Sequence, residues 1–291
     1  MTLTQNLTRL THTDHGRVLW LFHYAPRQHL HLDWHSLEQW LSDPALCCRV
    51  LRGEDSQVSL LMGATINRLE EVPGRRVAWL RFLLPDQNDE DNRLLDSLWE
   101  ALRADLIAKG VRQLGTLLLQ SWVTNLIARW GFAPAYSVVT LRRLGGPLPA
   151  EPEPPYVIRE VTHEADLDVA AAIDAQAFEP LWQYNRATLR IAMSQAATFS
   201  LLERDGEALG YQLSTVHGDA GHLARLAVLP TEQGKGLGKL LVGSILRFML
   251  RRGINTVTVN TQSDNARSQR LYRRLGFEHI GEGVPVWTLD L

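Results

Sequence analysis

Landmarks of this chain recur at one fixed spacing. Pro85 and Pro230, Gly131 and Gly276, and Phe132 and Phe277 each lie 145 residues apart. Around and between them the same order of patterns runs twice. Arg76–Leu84 has the alternation of a strand and ends at Pro85; helical periodicity covers about 92–109 and stops at Gly110. Leu114–Leu119 reads as a strand and Trp122–Trp130 as a helix, followed by Gly131-Phe132. In the second half, His222–Leu229 reads as a strand running up to Pro230, and a helix from about Gly236 to Arg252 stops at Gly253. Ile254–Thr261 is then a strand and Asn265–Leu275 a helix stopped by Gly276-Phe277. Strand order, helix lengths and end signals agree together, which two unrelated α/β domains would match only by chance. The chain reads as a duplicated α/β unit.

The run Gly145-Gly146-Pro147-Leu148-Pro149-Ala150-Glu151-Pro152-Glu153-Pro154-Pro155 cannot continue a helix, and its prolines lack ladder donors. It reads as a stiff extended linker. The expected division is a lobe over 1–145, a linker over 146–155 and a second lobe over 156–291. Before its shared part, the second lobe has a strand at Tyr156–Val161 and helices at Ala165–Phe178 and Asn185–Gln195. A hairpin of Thr198–Glu203 and Ala208–Thr215 turns on Asp205-Gly206. Phe277–Glu282 and Pro285–Leu291 are expected as two closing strands.

A net charge of −2 gives no field to draw the chain onto nucleic acid or an anionic membrane. No apolar run approaches the roughly 18 residues of a membrane helix, and the N-terminus lacks the basic start and apolar stretch of a secretory signal. Cys47 and Cys48 are the only cysteines; as sequence neighbours they do not read as a disulfide framework. A cytoplasmic setting is expected, with the oligomeric state open.

The stretch Leu226-Ala227-Val228-Leu229-Pro230-Thr231-Glu232-Gln233-Gly234-Lys235-Gly236-Leu237-Gly238-Lys239 carries the chemistry. An apolar strand ends at a proline, a glycine-rich turn follows, and a helix leaves it at once. Such a turn aims successive backbone N–H groups at one point, and the helix start adds its own orphan donors and positive dipole end. Together they suit a phosphate or pyrophosphate. A Walker loop is excluded, because position 233 is not glycine and Lys239 is followed by Leu240. The dinucleotide fingerprint is excluded by glycines spaced two apart at 234, 236 and 238.

The turn resembles the Gln/Arg-x-x-Gly-x-Gly/Ala loop of the GNAT family of N-acetyltransferases, with Gln233, Gly236 and Gly238 in place and Val228-Leu229-Pro230 before it. Asn265-Ala266-Arg267-Ser268-Gln269-Arg270-Leu271-Tyr272-Arg273-Arg274-Leu275-Gly276-Phe277 resembles the same family's Asn-x-x-Ala/Ser-x-x-Leu-Tyr-x-x-x-Gly-Phe helix. The resemblance covers residues 156–291, closest in texture to the ribosomal-protein-alanine acetyltransferases. It implies an α/β (α+β) fold of two tandem GNAT-like lobes, each a mixed, mainly antiparallel sheet flanked by helices.

The resemblance further implies acetyl-CoA as the cofactor. The backbone of Gln233, Gly234, Lys235, Gly236, Leu237, Gly238 and Lys239 would hold its pyrophosphate. The main chain of Leu226, Ala227 and Val228 would take the pantetheine arm and polarise the thioester carbonyl. Asn265 and Ser268 would contact the cofactor. Tyr272 would protonate the leaving thiolate, a role suited to a phenol near its ordinary pKa of about 10. A packed helix tyrosine is the alternative for Tyr272. A base is needed for the amine; His222, His217 and Asp219 are candidates, with His222 on the strand itself. The reaction implied is direct transfer to a primary amine, on a protein N-terminus or a small molecule. Rival readings are an amino-sugar or thiol-precursor acyltransferase and a coenzyme-A-binding regulatory module without turnover.

At the 145-residue offset, Asn88, Asp89, Glu90, Asp91 and Arg93 replace Gln233, Gly234, Lys235, Gly236 and Gly238, with Asp86 just before. Carboxylates there repel a pyrophosphate. Ile127 replaces Tyr272 and Gln120 replaces Asn265. The N-terminal copy is therefore expected to bind no acetyl-CoA, and either to support the other lobe or to shape its acceptor site. His29, His31 and His35 with Asp33 lack a standard metal spacing and are expected in a loop or helix start facing solvent or the lobe interface; no metal is expected. Arg267, Arg270, Arg273 and Arg274 read mainly as a solvated helix face. The aromatic-rich Phe178–Tyr184 run is either an acceptor contact or a core anchor.

Overall fold

The computed structural model describes residues 7–67, 76–85 and 93–291. The chain forms two compact units, residues 1–135 with 285–291, and residues 136–284. Unit 1 is thus completed by a strand distant in sequence, while unit 2 is one continuous stretch.

Unit 1 contains β1 (Leu7–Arg9), α1 (His15–Tyr24), β2 (His29–Leu30), α2 (Leu37–Ser42), β3 (Leu46–Arg52), β4 (Val58–Asn67), β5 (Arg76–Leu84), α3 (Arg93–Ala108), β6 (Val111–Leu117) and α4 (Val123–Arg129). The next strand, β7 (Ala133–Leu144), belongs from Tyr136 onward to unit 2. Antiparallel pairs join β1 to β3, β3 to β4 and β4 to β5, while β5 and β6 are parallel. The far edge of β6 takes Val286–Asp290 of the last strand. One stripe of α3 (Leu95, Leu98, Trp99, Leu102, Leu106) is buried. It enters a core with Leu80, Leu114 and Ile127, and Trp99 stacks on Trp130 with ring centroids 5.2 Å apart.

Unit 2 contains β8 (Tyr156–Glu160), α5 (Glu164–Ala177), α6 (Arg186–Gln195), β9 (Thr198–Arg204), β10 (Glu207–His217), β11 (Ala220–Val228), α7 (Leu237–Arg251), β12 (Thr256–Gln262), α8 (Ala266–Arg274) and the first part of β13 (Glu278–Asp290). Antiparallel pairs run from β8 through β9 and β10 to β11. β11 and β12 are parallel, and β12 pairs antiparallel with β7. Local chemistry sets the ends. Asp205 and Gly206 both have positive φ in the β9–β10 turn, as a tight hairpin requires. The Asn185 and Asn265 side chains accept backbone N–H groups and start α6 and α8.

The duplication is visible in the ladders. Val77 faces Gln113 and Ala78 faces Leu114, and their 145-residue counterparts His222 and Thr258, and Leu223 and Val259, are paired likewise.

Three expectations change. The end of the chain is one strand rather than two; Pro285 falls where it passes from unit 2 to unit 1, where a missing donor interrupts neither unit's ladder in its middle. The proline-rich segment is extended but tied down within unit 2. Arg143 donates to the Pro147 carbonyl and Arg247 of α7 to the Pro149 carbonyl, each at 2.8 Å. The histidines are not at a solvent face: His29, His31 and His35 are all buried in unit 1. Arg81 links to Asp33 at 2.9 Å, and His35 Nδ1 lies 3.0 Å from Asp33. Among the described residues no group of His, Cys, Asp and Glu is arranged to hold a metal ion, and no helix is long and apolar enough to cross a membrane. The carboxylates Asp86, Asp89, Glu90 and Asp91, with Asn88, lie outside the described residues.

Burial pushes His29 down to about 4. An unfolded histidine near 6.5 binds its proton first, so stability present above pH 6.5 is lost as pH falls toward 4. The span corresponds to about 3 kcal/mol. Urea unfolding midpoints of the wild type should therefore decline below pH 6.5, and His29→Gln should flatten that decline. An equal decline in the variant would exclude His29 as its source.

Candidate coenzyme site in unit 2

β11 is paired on both edges only at its start. Toward β12 the ladder runs from Ala220–Thr256 to Leu223–Val259 and stops, while β12 itself continues along β7 as far as Gln262. On its other edge β11 stays paired with β10 up to Val228. The register there passes from Leu223–Ser214 to Arg225–Leu213, leaving Ala224 without an opposite residue. A one-residue bulge bends its strand and re-aims the groups beyond it. β11 therefore parts from β12 at Ala224, and the main chain of Leu226 and Val228 borders an opening. The Leu226 and Val228 side chains pack with Leu237 and Leu241 of α7, and Ala227 is buried.

Beyond β11 the chain turns. The Gln233 side chain donates back to the Val228 carbonyl at 2.9 Å, closing the turn onto the strand end. Gly234 and Gly236 have φ of +83° and +87°, the left-handed region that disfavours any Cβ. Gly236 leads directly into α7, whose Lys239 and Leu240 N–H groups fold back to its carbonyl. The N–H groups of residues 234 to 238 have no partner among the described residues. These are the orphan donors of a helix start and of the turn before it. Lys235 reaches Glu232 at 3.0 Å, so its charge is already matched. Leu237 is core, Lys239 is exposed, and Gly238 sits against Leu271 of α8, where a Cβ would lie 3.0 Å from the leucine methyl.

α8 places two residues differently. Asn265 accepts the Ser268 N–H at 3.0 Å, so its carbonyl oxygen caps the helix and its amide N–H₂ remains to contact a ligand. Tyr272 is buried against Phe277, with ring centroids 5.7 Å apart. Burial raises its pKa, and its hydroxyl makes no hydrogen bond among the described residues. The tyrosine is both a packed ring and an uncommitted phenol. Arg267, Arg270, Arg273 and Arg274 are exposed.

His222 lies on the closed side of the bulge. Its Nδ1 is 2.8 Å from the Thr258 hydroxyl, which lies 3.4 Å from the Gly221 carbonyl. Burial, and then His217, lower its pKa. His217 and Asp219 sit at the exposed β10–β11 tip, away from the opening.

A buried ion pair at the bulge escaped the sequence reading. Arg225 follows Ala224, and its guanidinium forms two 2.8 Å bonds to Asp174 of α5 and one of 2.6 Å to the Trp182 carbonyl. It lies over the Phe178 and Tyr184 rings, 3.5 and 4.0 Å from their centroids. Asp174 also accepts from the Tyr184 N–H at 2.7 Å and from the Tyr211 hydroxyl. Burial raises the Asp174 and Tyr211 pKa values, with the guanidinium opposing. The 178–184 run is thereby anchored to the strand at its bulge. Trp182 also donates from Nε1 to the Tyr136 hydroxyl at 2.5 Å. The available signal was an aspartate on the same helix stripe as Leu167 and Ala170 and an arginine between Leu223 and Ala227.

Unit 2 thus presents a sheet parted at a bulge, above a glycine turn that opens a helix. Residues 167–277 match the model described as Acetyltransferase (GNAT) family. A mycothiol acetyltransferase of Acidothermus cellulolyticus is 33% identical over 181 residues, covering 54% of this chain and 55% of the relative. One from Streptomyces avermitilis is 40% identical over 83 residues, 28% and 27% of the two chains. The chain spans about half the length, or less, of these curated relatives. A tandem GNAT protein from the clavulanic acid biosynthesis pathway superimposes with a TM-score of 0.62 at 16% identity, over 98% of both chains. A conserved Enterococcus faecalis V583 protein gives 0.73 at 10% identity, over 98% of this chain and 71% of that one. At those identities the structures speak for the tandem fold alone.

Proposed function

We propose that the chain transfers an acetyl group from acetyl-CoA to a primary amine by direct attack, with unit 2 as the working lobe. The carrying observation is the parted edge of β11 leading into five amides, at 234 to 238, that have no partner among the described residues. Acetyl-CoA, when bound, supplies an activated thioester. The turn amides and the α7 start would hold its pyrophosphate. The main chain of Leu226, Ala227 and Val228 would take its arm, and Asn265, through its free amide, and Ser268 would flank it. N–H groups at the open edge suit the thioester oxygen. Tyr272 gives the proton from its hydroxyl to the departing sulfur.

His222 is the proposed base. With the Thr258 hydroxyl donating to Gly221, the His222 Nδ1–H donates to Thr258 and Nε2 is left to accept a proton. Its lowered pKa keeps it neutral at pH 7. The 33% identity to a mycothiol acetyltransferase favours a small amine-bearing thiol precursor as acceptor; a protein N-terminus is the second reading. Buried free Cys47 and Cys48 suit a reducing, cytoplasmic setting.

Thiol release with a panel of amines tests this. For an accepted amine, kcat/KM should rise with pH through a value below 6.5 and then level. His222→Gln should remove that limb and lower the plateau roughly 10²-fold. No thiol release with any amine, alongside tight acetyl-CoA binding, would favour the regulatory alternative instead.

A further inference from the structure

β5 of unit 1 stands where β11 stands in unit 2. One of its edges is held by β4 from Val77 to Leu84. The other meets β6 only from Arg76 to Trp79, and beyond that the two strands part. The equivalent opening in unit 2 has no strand in it among the described residues. In unit 1 it is filled by the chain itself. β2 lies antiparallel on β5, His29 opposite Leu83 and Leu30 opposite Phe82, and the His31 N–H donates to the Arg81 carbonyl at 2.9 Å. Since β4 holds the other edge, β2 occupies the gap on the β6 side, and His29 Nε2 lies 3.4 Å from the Thr116 hydroxyl of β6.

Arg81 and Leu83 are the 145-residue counterparts of Leu226 and Val228. Those are the residues whose main chain takes the coenzyme arm in the function proposed above. We infer that β2 is a resident occupant of unit 1's coenzyme-type opening and leaves the chain with a single acetyl-CoA site in unit 2. This rests on that functional reading. A tethered strand competes at an effective concentration on the order of millimolar, so a free ligand must displace it as well as bind. Displacement would also strip His29 and His31, 0% and 9% exposed, from their packed positions. Closure by a strand acts independently of the charge argument made from the carboxylates, since it blocks the arm rather than the pyrophosphate. At the other end of the site, Ile127 fills its Tyr272-equivalent position within the core.

Amide hydrogen exchange on the full chain, with and without saturating acetyl-CoA, tests the inference alongside calorimetric titration. The His31 amide should exchange about 10³-fold slower than in an unstructured chain. That protection should not change on adding acetyl-CoA, and the stoichiometry should not exceed one. Rapid exchange at His31, loss of its protection with ligand, or a second saturable site would each overturn it. A chain that binds no acetyl-CoA would instead sink the proposed function, while the protection at His31 would still decide whether β2 is an occupant.

Discussion

Replacing Tyr272 by phenylalanine lowers kcat by roughly 10²- to 10⁴-fold, the span typical of a lost general acid, and leaves the KM for acetyl-CoA within about twofold. The ring stays packed on Phe277, so the contacts that hold α8 survive. Only a hydroxyl with no hydrogen-bond partner among the described residues is removed, and unfolding stability should change by less than about 0.5 kcal/mol. Burial raises this phenol's pKa, which keeps the proton on oxygen at every working pH. Steady-state thiol release with matched thermal unfolding separates the roles. Full activity in the variant would leave Tyr272 as a packed ring and nothing more.

Asp174→Ala costs unit 2 roughly 3–5 kcal/mol, the scale of removing one partner from a buried ion pair. Arg225 and Asp174 are 7% and 0% exposed in their side chains, so water cannot replace the carboxylate. The change would leave the guanidinium without its two-pronged partner, and the Tyr211 hydroxyl and Tyr184 N–H without an acceptor. Replacing both members together, Asp174→Leu with Arg225→Met, should recover much of the loss, because an apolar pair leaves no buried charge. Urea unfolding of the two single variants and the double variant gives the coupling. A cost under about 1 kcal/mol for Asp174→Ala would mean that the pair does not anchor the 178–184 run.

Most of unit 2 could be read ahead of the structure because its signals are local. The Asp205-Gly206 turn, the Asn185 and Asn265 caps and the glycine stops at 253 and 276 each depend on a few neighbouring residues. The first 75 residues gave no comparable pattern. Their short elements, β1, β2 and α2, are held by strands far along the chain, and propensity over two or three residues carries little weight against tertiary pairing. The histidines were misjudged for the same reason. Polar residues near a proline read as a surface loop, yet Arg81 and Thr116, from two distant strands, give them a buried setting.

Two units in tandem, the glycine turn and its helix, and the lone tyrosine of α8 follow from the order of residues alone, because spacing and left-handed turns are properties of adjacent positions. Which strand completes which unit, where β11 leaves β12, that Arg225 finds Asp174, and that β2 enters unit 1's opening were decided only by the folded chain. Each depends on edges and charges brought together across tens of residues or more, and no local pattern records which of the possible partners will be nearest.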